Sequence, residues 1–539
     1  MTEEETDLWE LAEENADVLR FGTLFTARQV NRYLSDRAGI DEAADWCRRQ
    51  GIRHLYLEVF RSEVMPEPET LARARDRLQE AGFLVSGCIT PSHFGRQSTG
   101  WDAFSCFTAE ETRRKLRHAS ERAAELFDEV MIDDFLCSDC TCSECREARG
   151  DRSWSEFKRE LMFRMSRENI IGAGRAVNPD VEFIIKYPEW HEMYQERGYD
   201  VAAQTELFPQ IWVGTETRGL DPSELEEPDE AHLRQEPQYA GYWLMRWLLG
   251  IGGEKCGGGW YDTIDTTPSF YVEQGRQTVL GGAPEAFLFN FGAIYEGRRY
   301  DHGRGPADFA ALRREIPQHY ELARLVRGRR PRGLLGWKPT NSPAGPDRNL
   351  HGLLGNAGFP VTAAHEFDPD APGFIFSYHV LHDPAWWDAA EHAMETGRPI
   401  VATPAFLETA RPLAEGNRLD IDRLEGRAVV LPGPDGPDQW AAMEDMPQRD
   451  LDGLREAACD GLGLTFRAPH DVALYLFDGE VAVVENFRNE AVECELRPEG
   501  WSRMEPALRI PADADSRVAD DAAGHLRLAG RSLLAVRRA

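Results

Sequence analysis

Asp133 and Asp134 close a short apolar run, Val130-Met131-Ile132, and four cysteines follow within eleven residues: Cys137, Cys140, Cys142 and Cys145. Two chemistries are written into that stretch. Carboxylates at the end of a buried strand are candidate acids, bases or nucleophiles. Thiols in a Cys-x-x-Cys-x-Cys-x-x-Cys pattern fit a closed tetrahedral zinc site. Such a site leaves no open position for water, so its expected role is to pin the loop beyond Asp134. Cys106, in the loop after the preceding strand, can replace Cys137 as the fourth ligand. Four free exposed thiols would oxidise. An iron–sulfur cluster is the competing occupant and would make the protein coloured.

The acids need elements to carry them. Eight short apolar runs alternate with helical stretches between Val18 and Arg327: Phe21–Thr26, His54–Phe60, Phe83–Thr90, Glu129–Asp134, Glu182–Tyr187, Ile211–Thr215, Gly258–Tyr261 and Ala286–Phe291. Thr108 followed by Glu111 has the form of a capping box at the start of one helix. Eight strand–helix units over about 300 residues predict a parallel (β/α)8 TIM barrel. The glycine-rich phosphate turn of a doubly wound dinucleotide fold is missing after the first run.

In a barrel the working residues sit at the C-terminal strand ends. Those ends carry Glu58 and Arg61, Thr90 and His93, Asp133 and Asp134, then Tyr187, Glu189, Trp190 and His191. Glu216 and Arg218, Trp260 and Asp262, and Asn290 complete the rim. Carboxylates among aromatic rings suit glycosidic bond cleavage: one acid protonates the leaving oxygen, the other stabilises or attacks the oxocarbenium-like carbon. Each acid alone is equally at home as a helix cap or an arginine partner; the set is what points to carbohydrate. Adjacent side chains on a regular strand face opposite ways. Only one of Asp133 and Asp134 is therefore expected to face the pocket.

The net charge of −32 argues against nucleic acid and disfavours anionic membrane as partners. Only five of the 61 basic residues are lysine, a surface compatible with a high-salt habitat or with an arginine-biased genome. No apolar run reaches the length of a membrane span, and the acidic N-terminus is not a signal peptide. A cytoplasmic location is expected. Residues 329–332, Arg-Arg-Pro-Arg, read as a linker. A flavodoxin-like α/β pattern follows, then strands of period two near Val472–Phe477, Val481–Asn486 and Val492–Leu496. The expected domains are 1–328 (barrel), 329–460 (α/β) and 461–539 (a small antiparallel β-sandwich).

The acid pair, the Cys140-Thr-Cys142-Ser-Glu-Cys145 cluster and the helix opening Trp154-Ser-Glu-Phe-Lys resemble glycoside hydrolase family 42, the β-galactosidases. The resemblance implies a retaining, exo-acting hydrolase of small oligosaccharides or glycosides. It also implies a structural Zn2+, an amidotransferase-like middle domain and a homo-oligomer, possible as a trimer. Asp134 falls where that family has its acid/base Glu, and Asp133 where it has Asn. Glu216 is the best match to its nucleophile. Here Asp replaces Glu, and Glu216 ends the sixth strand, not the seventh. The exchanged assignment, with an Asp of the fourth strand as nucleophile and Glu216 as acid, uses the same residues. The substrate-binding candidates are Glu58, His93, Tyr187, Glu189, Trp190, Trp260, Asp262 and Asn290. The alternative function is a non-catalytic carbohydrate-binding protein on a glycosidase scaffold.

Overall fold

The computed structural model describes residues 7–224, 236–296, 309–414, 419–433, 441–519 and 524–539. It divides into two compact units. The first comprises 1–235, 251–279 and 283–320; the second comprises 236–250, 280–282 and 321–539.

The first unit is a closed eight-stranded parallel barrel. Its strands are β1 (Arg20–Phe25), β2 (His54–Arg61), β3 (Leu84–Thr90), β4 (Glu129–Ile132), β5 (Glu182–Tyr187), β6 (Gln210–Gly214), β7 (Cys256–Asp262) and β8 (Glu285–Phe289). Closure runs through the register of Gly22 with Phe287. The runs are apolar because both faces of each strand are covered, by helices outside and by neighbouring strands within. Leu24, Tyr56, Cys88, Met131, Ile184, Trp212, Trp260 and Phe287 fill the interior as one cluster.

The bottom of the barrel is closed by a polar network. His54 Nδ1 lies 3.0 Å from Glu285 Oε1, and its Nε2 lies 2.8 Å from Ser86 Oγ, which donates to Glu129 at 2.7 Å. Gly22 makes room for it, since a Cβ there would fall 2.6 Å from Glu285 Oε1. At this end of a barrel such residues serve stability.

Two local expectations are corrected. Ala109, not Thr108, stands at the N-cap of the helix Glu110–Leu126, which has no side-chain cap hydrogen bond among the described residues. Thr108 Oγ1 lies 3.2 Å from Cys145 Sγ instead. The supposed linker is structured: Pro331–Arg332 forms a short strand, β9, paired with β16 (Val472–Phe477).

In the second unit, β10 (Leu334–Trp337), β11 (Val361–Ala364), β12 (Phe374–Phe376), β13 (Ile400–Ala402) and β14 (Val429–Val430) form a parallel sheet ordered β11-β10-β12-β13-β14. That is the flavodoxin-like order. Two antiparallel sheets follow. One is ordered β15-β18-β21-β20, from Leu464–Arg467, Val492–Pro498, His525–Leu528 and Arg517–Val518. The other is ordered β19-β22-β17-β16-β9, adding Met504–Ile510, Ser532–Arg538 and Val481–Asn486. Phe466, Leu496 and Leu526 from the first and Val472, Val484 and Leu534 from the second share one core. Residues 236–250 also belong to this unit: Trp243 stacks on the His351 ring at 4.4 Å and Tyr239 on Tyr475 at 5.0 Å.

Candidate active site: a lysine among carboxylates

Lys186 lies on β5 two residues after Ile184, so strand alternation turns both into the barrel. Its ammonium is 1% exposed and rests over the Trp260 ring, 4.5 Å from the centroid. Three acids converge on it. Glu216 Oε1 accepts at 2.6 Å, Asp134 Oδ1 lies at 3.0 Å and Asp133 Oδ1 at 3.7 Å. Glu189 closes the group: Asp134, Glu189 and Glu216 each offer a carboxylate oxygen, all within 4.8 Å of one another.

Both aspartates face the site, against the expectation from alternation. The regular strand stops at Ile132, and Phe135 adopts φ 75°, so the chain is already turning where the acids stand. Glu216 fits because residue 214 is glycine; a Cβ there would fall 2.3 Å from Glu216 Oε2.

Two arginines frame the cluster. Arg61 donates to Glu58 and to Asp133, each at 2.8 Å. Thr90 Oγ1 lies 2.6 Å from Glu58 Oε1 and 3.0 Å from Asp133 Oδ2. Glu58 Oε2 takes the Ala27 amide at 2.7 Å, so this buried acid positions Arg61 and has no oxygen left for substrate. Arg218 grips Asp262 at 3.1 and 2.6 Å and reaches Glu189 at 3.5 Å.

Three cations thus face six carboxylates in a buried space, and charge balance leaves protons on some of the acids. Burial opposes the ionisation of Asp133, but Lys186 and Arg61 outweigh it and hold its pKa below the usual range. Asp134 goes the other way. Burial, joined by Asp133 and Glu216 and resisted by Lys186, pushes it up to about 7. Burial raises Glu216 well above a normal glutamate despite the ammonium beside it. Lys186, under the pull of Asp134 and Glu216, stays charged.

Several predicted substrate contacts are corrected. Tyr187 follows Lys186 and so points out of the barrel; it is buried under the helices with its hydroxyl 3.1 Å from Thr205 Oγ1. Trp260 is a buried floor beneath Lys186 and offers no exposed face. Asn290 Oδ1 accepts from Gln29 Nε2 at 2.6 Å and from the Ala293 amide, a capping role. Asp262 is an arginine partner. His93 is exposed, with φ 48°, and among the described residues it bonds none of the site acids. Trp190 and Glu189 remain at the rim, both half-buried.

Lys186 is not among the strand-end residues named from the sequence. One of only five lysines, inside an apolar strand and one residue from its end, was the available signal.

Beside the acids, Cys106, Cys140, Cys142 and Cys145 bring their sulfurs within 4.8 Å of one another. Cys137, read from its spacing as a ligand, stands outside this group, fully buried, and Cys106 takes its place. Tetrahedral sulfurs at a Zn–S distance of ~2.3 Å stand about 3.8 Å apart. Cys106 Sγ lies 3.8 Å from Cys142 Sγ and 3.6 Å from Cys145 Sγ, so the four residues fit a metal of that geometry. Arg96 Nη2, 3.2 Å from Cys106 Sγ, supplies positive charge from outside the cluster.

Comparison with known proteins places this site in a family. A protein of Saccharolobus solfataricus described as uncharacterized is 25% identical over 284 residues, 46% of this chain and 45% of that protein. The chain thus spans about half the length of the curated relative it matches. Among solved structures, the exo-beta-1,4-mannosidase Op5Man5 of Opitutaceae bacterium strain TAV5 is 12% identical with a TM-score of 0.39, over 89% of this chain and 86% of that one. A putative alpha amylase from Salmonella typhimurium is 12% identical with a TM-score of 0.34, over 97% and 82%. Residues 5–322, which hold the whole barrel and every acid described above, match the model of the family "probable glycosyl hydrolase, catalytic domain", and the chain belongs to that family.

Proposed function

We propose that this protein hydrolyses glycosidic bonds with retention of configuration, acting on the ends of small oligosaccharides or glycosides, with Asp134 as nucleophile and Glu216 as acid/base. The observation that carries the reading is the Lys186 ammonium held between Asp134 and Glu216, one oxygen of each lying within 4.8 Å of one oxygen of the other. Retaining enzymes hold the two carboxyls about 5–5.5 Å apart and inverting ones about 6.5–9.5 Å, to admit a water. The short spacing supports retention.

The protonation pattern supports the division of labour. Burial holds the proton on Glu216, and among the described residues its Oε2 has no hydrogen-bond partner while Oε1 is engaged by Lys186. A proton on Oε2 goes to the leaving-group oxygen. Asp134 is the more exposed of the two, 17% against 1%, and ionises near neutrality beside the ammonium. Its carboxylate attacks the anomeric carbon as the glycosidic bond breaks, giving a glycosyl ester. Glu216, now ionised, takes a proton from water; the water oxygen bonds to the anomeric carbon and Asp134 departs. Asp133, tied to Arg61, positions Lys186.

Cys106, Cys140, Cys142 and Cys145 would hold a structural Zn2+, whose chemistry is limited to cross-linking the loops on either side of Asp134. The net charge of −32 supports a protein without nucleic-acid partners. Among the described residues no helix is long and apolar enough to cross a membrane.

The test is a panel of nitrophenyl glycosides, with NMR of the first-formed sugar. Cleavage of at least one member with retention is expected, with Glu216→Gln and Asp134→Asn each lowering the rate at least 10²-fold. Unchanged rates in both variants, or sugar binding without turnover, would overturn the proposal; the second outcome would indicate a binding protein.

A further inference from the structure

Trp101 is 54% exposed, the most exposed large apolar side chain among the described residues. A single exposed apolar residue is ordinary. This one is held out by a purpose-fitted turn. Its amide donates to Asp139 Oδ2 at 2.7 Å, and Asp139 is also bonded by Ser98 Oγ and paired with Arg197 at 2.9 Å. The preceding Gly100 packs so closely that a Cβ would fall 2.2 Å from the same carboxylate. Thr99 Oγ1 accepts the Thr141 amide at 2.8 Å. Both anchors, Asp139 and Thr141, lie in the cysteine loop.

The ring so presented packs in an aromatic cluster that includes the residues following two of the acids. Trp101 lies 5.5 Å from the ring of Phe135, the residue after Asp134, and 4.9 Å from Phe104. Phe104 in turn lies 6.2 Å from Trp190, the residue after Glu189. An aromatic band therefore runs from Phe135 and Trp190, which follow Asp134 and Glu189, through Phe104 to the half-exposed indole of Trp101.

We infer that Trp101 is a stacking platform for the sugar ring on the leaving-group side of the scissile bond. The inference rests on the proposed hydrolysis. The ring being cleaved must enter among buried acids, whereas the group that departs extends outward. An indole face set beyond the Asp134–Phe135 step meets the apolar face of that outer ring. Trp101 is thus a specificity-determining residue that favours a cyclic leaving group over a small one.

Two measurements test it. The first is the ratio of kcat/KM for a disaccharide to that for the glycosyl fluoride of the same sugar, which has no outer ring. Trp101→Ala is expected to lower this ratio about tenfold, as expected for loss of one aromatic contact and the apolar area it covers. Trp101→Phe should restore most of it. The second is calorimetric binding of a disaccharide panel to Glu216→Gln, with and without Trp101→Ala, which needs no turnover; about tenfold weaker binding is expected. Hydrolysis with an unchanged ratio and unchanged affinity overturns the platform alone. Trp101-dependent binding without hydrolysis by the unmutated protein overturns the activity and keeps the platform. Neither cleavage nor binding of any disaccharide overturns both.

Discussion

Lys186 Nζ stands 2.6 Å from Glu216 Oε1 with both side chains 1% exposed, and this pair organises the other acids of the site. Removing the ammonium leaves Asp133, Asp134 and Glu216 facing one another in a low-dielectric space. Lys186→Met should therefore raise the pKa of Asp134 further and shift the acid limb of kcat/KM to higher pH. At neutral pH the loss should be at least 10²-fold. A pH–rate profile checks both the direction and the size.

The pH dependence of the unmutated enzyme follows from Asp134. A nucleophile must be ionised, so kcat/KM should fall about tenfold per unit as pH drops below about 7. The alkaline limb belongs to Glu216, whose burial holds the proton on. An activity plateau extending down to pH 5 would contradict the assignment.

Stability should carry the same signature with its own sign. Asp134 has a folded pKa of about 7 against an ordinary 3.8, so between these values the folded chain binds the extra proton and stability falls as pH rises. Asp134→Asn removes that dependence. The variant should gain a few kcal/mol relative to the parent at pH 8 and nothing at pH 4, read from denaturant midpoints at both.

The thiol cluster predicts which cysteines matter. The purified chain should hold about one zinc. Cys106→Ser should lose it, while Cys137→Ser should keep it. Chelation should lower Tm and increase amide exchange in 96–106 and 139–145, with the barrel strands unaffected. Elemental analysis and exchange mass spectrometry decide the point.

Tyr187 offers a negative control. Tyr187→Phe loses the hydroxyl's contacts with Thr205 Oγ1 and with the Val201 carbonyl, worth about 1–2 kcal/mol of stability, and should leave KM within about twofold.

Much of this was legible in the residues. The eight barrel strands stand where apolar runs of four to eight residues lie between helical stretches, because burial on both faces favours apolar residues along most of each strand. Asp134, Glu189 and Glu216 were legible as strand-end acids. Tyr187 was misplaced although alternation was available to place it: Ile184 and Lys186 share a face, and Tyr187 is on the other. The convergence of Asp133 and Asp134 was hidden because the regular strand stops at Ile132, two residues short of the Glu129–Asp134 run. Cys106 could not be preferred to Cys137 from spacing, since that choice is made by how the loop after β3 folds back. Trp101 lies in an aperiodic loop, where only the Gly100–Asp139 contact shows its purpose.

The division of roles between Asp134 and Glu216 is tested most directly by trapping the intermediate. The chain would be treated with the 2-deoxy-2-fluoro glycosyl fluoride of the sugar that the nitrophenyl panel identifies, and the labelled peptide sequenced by mass spectrometry. The account predicts one adduct per chain, on Asp134. An adduct on Glu216, or inverted product with no adduct, would contradict it.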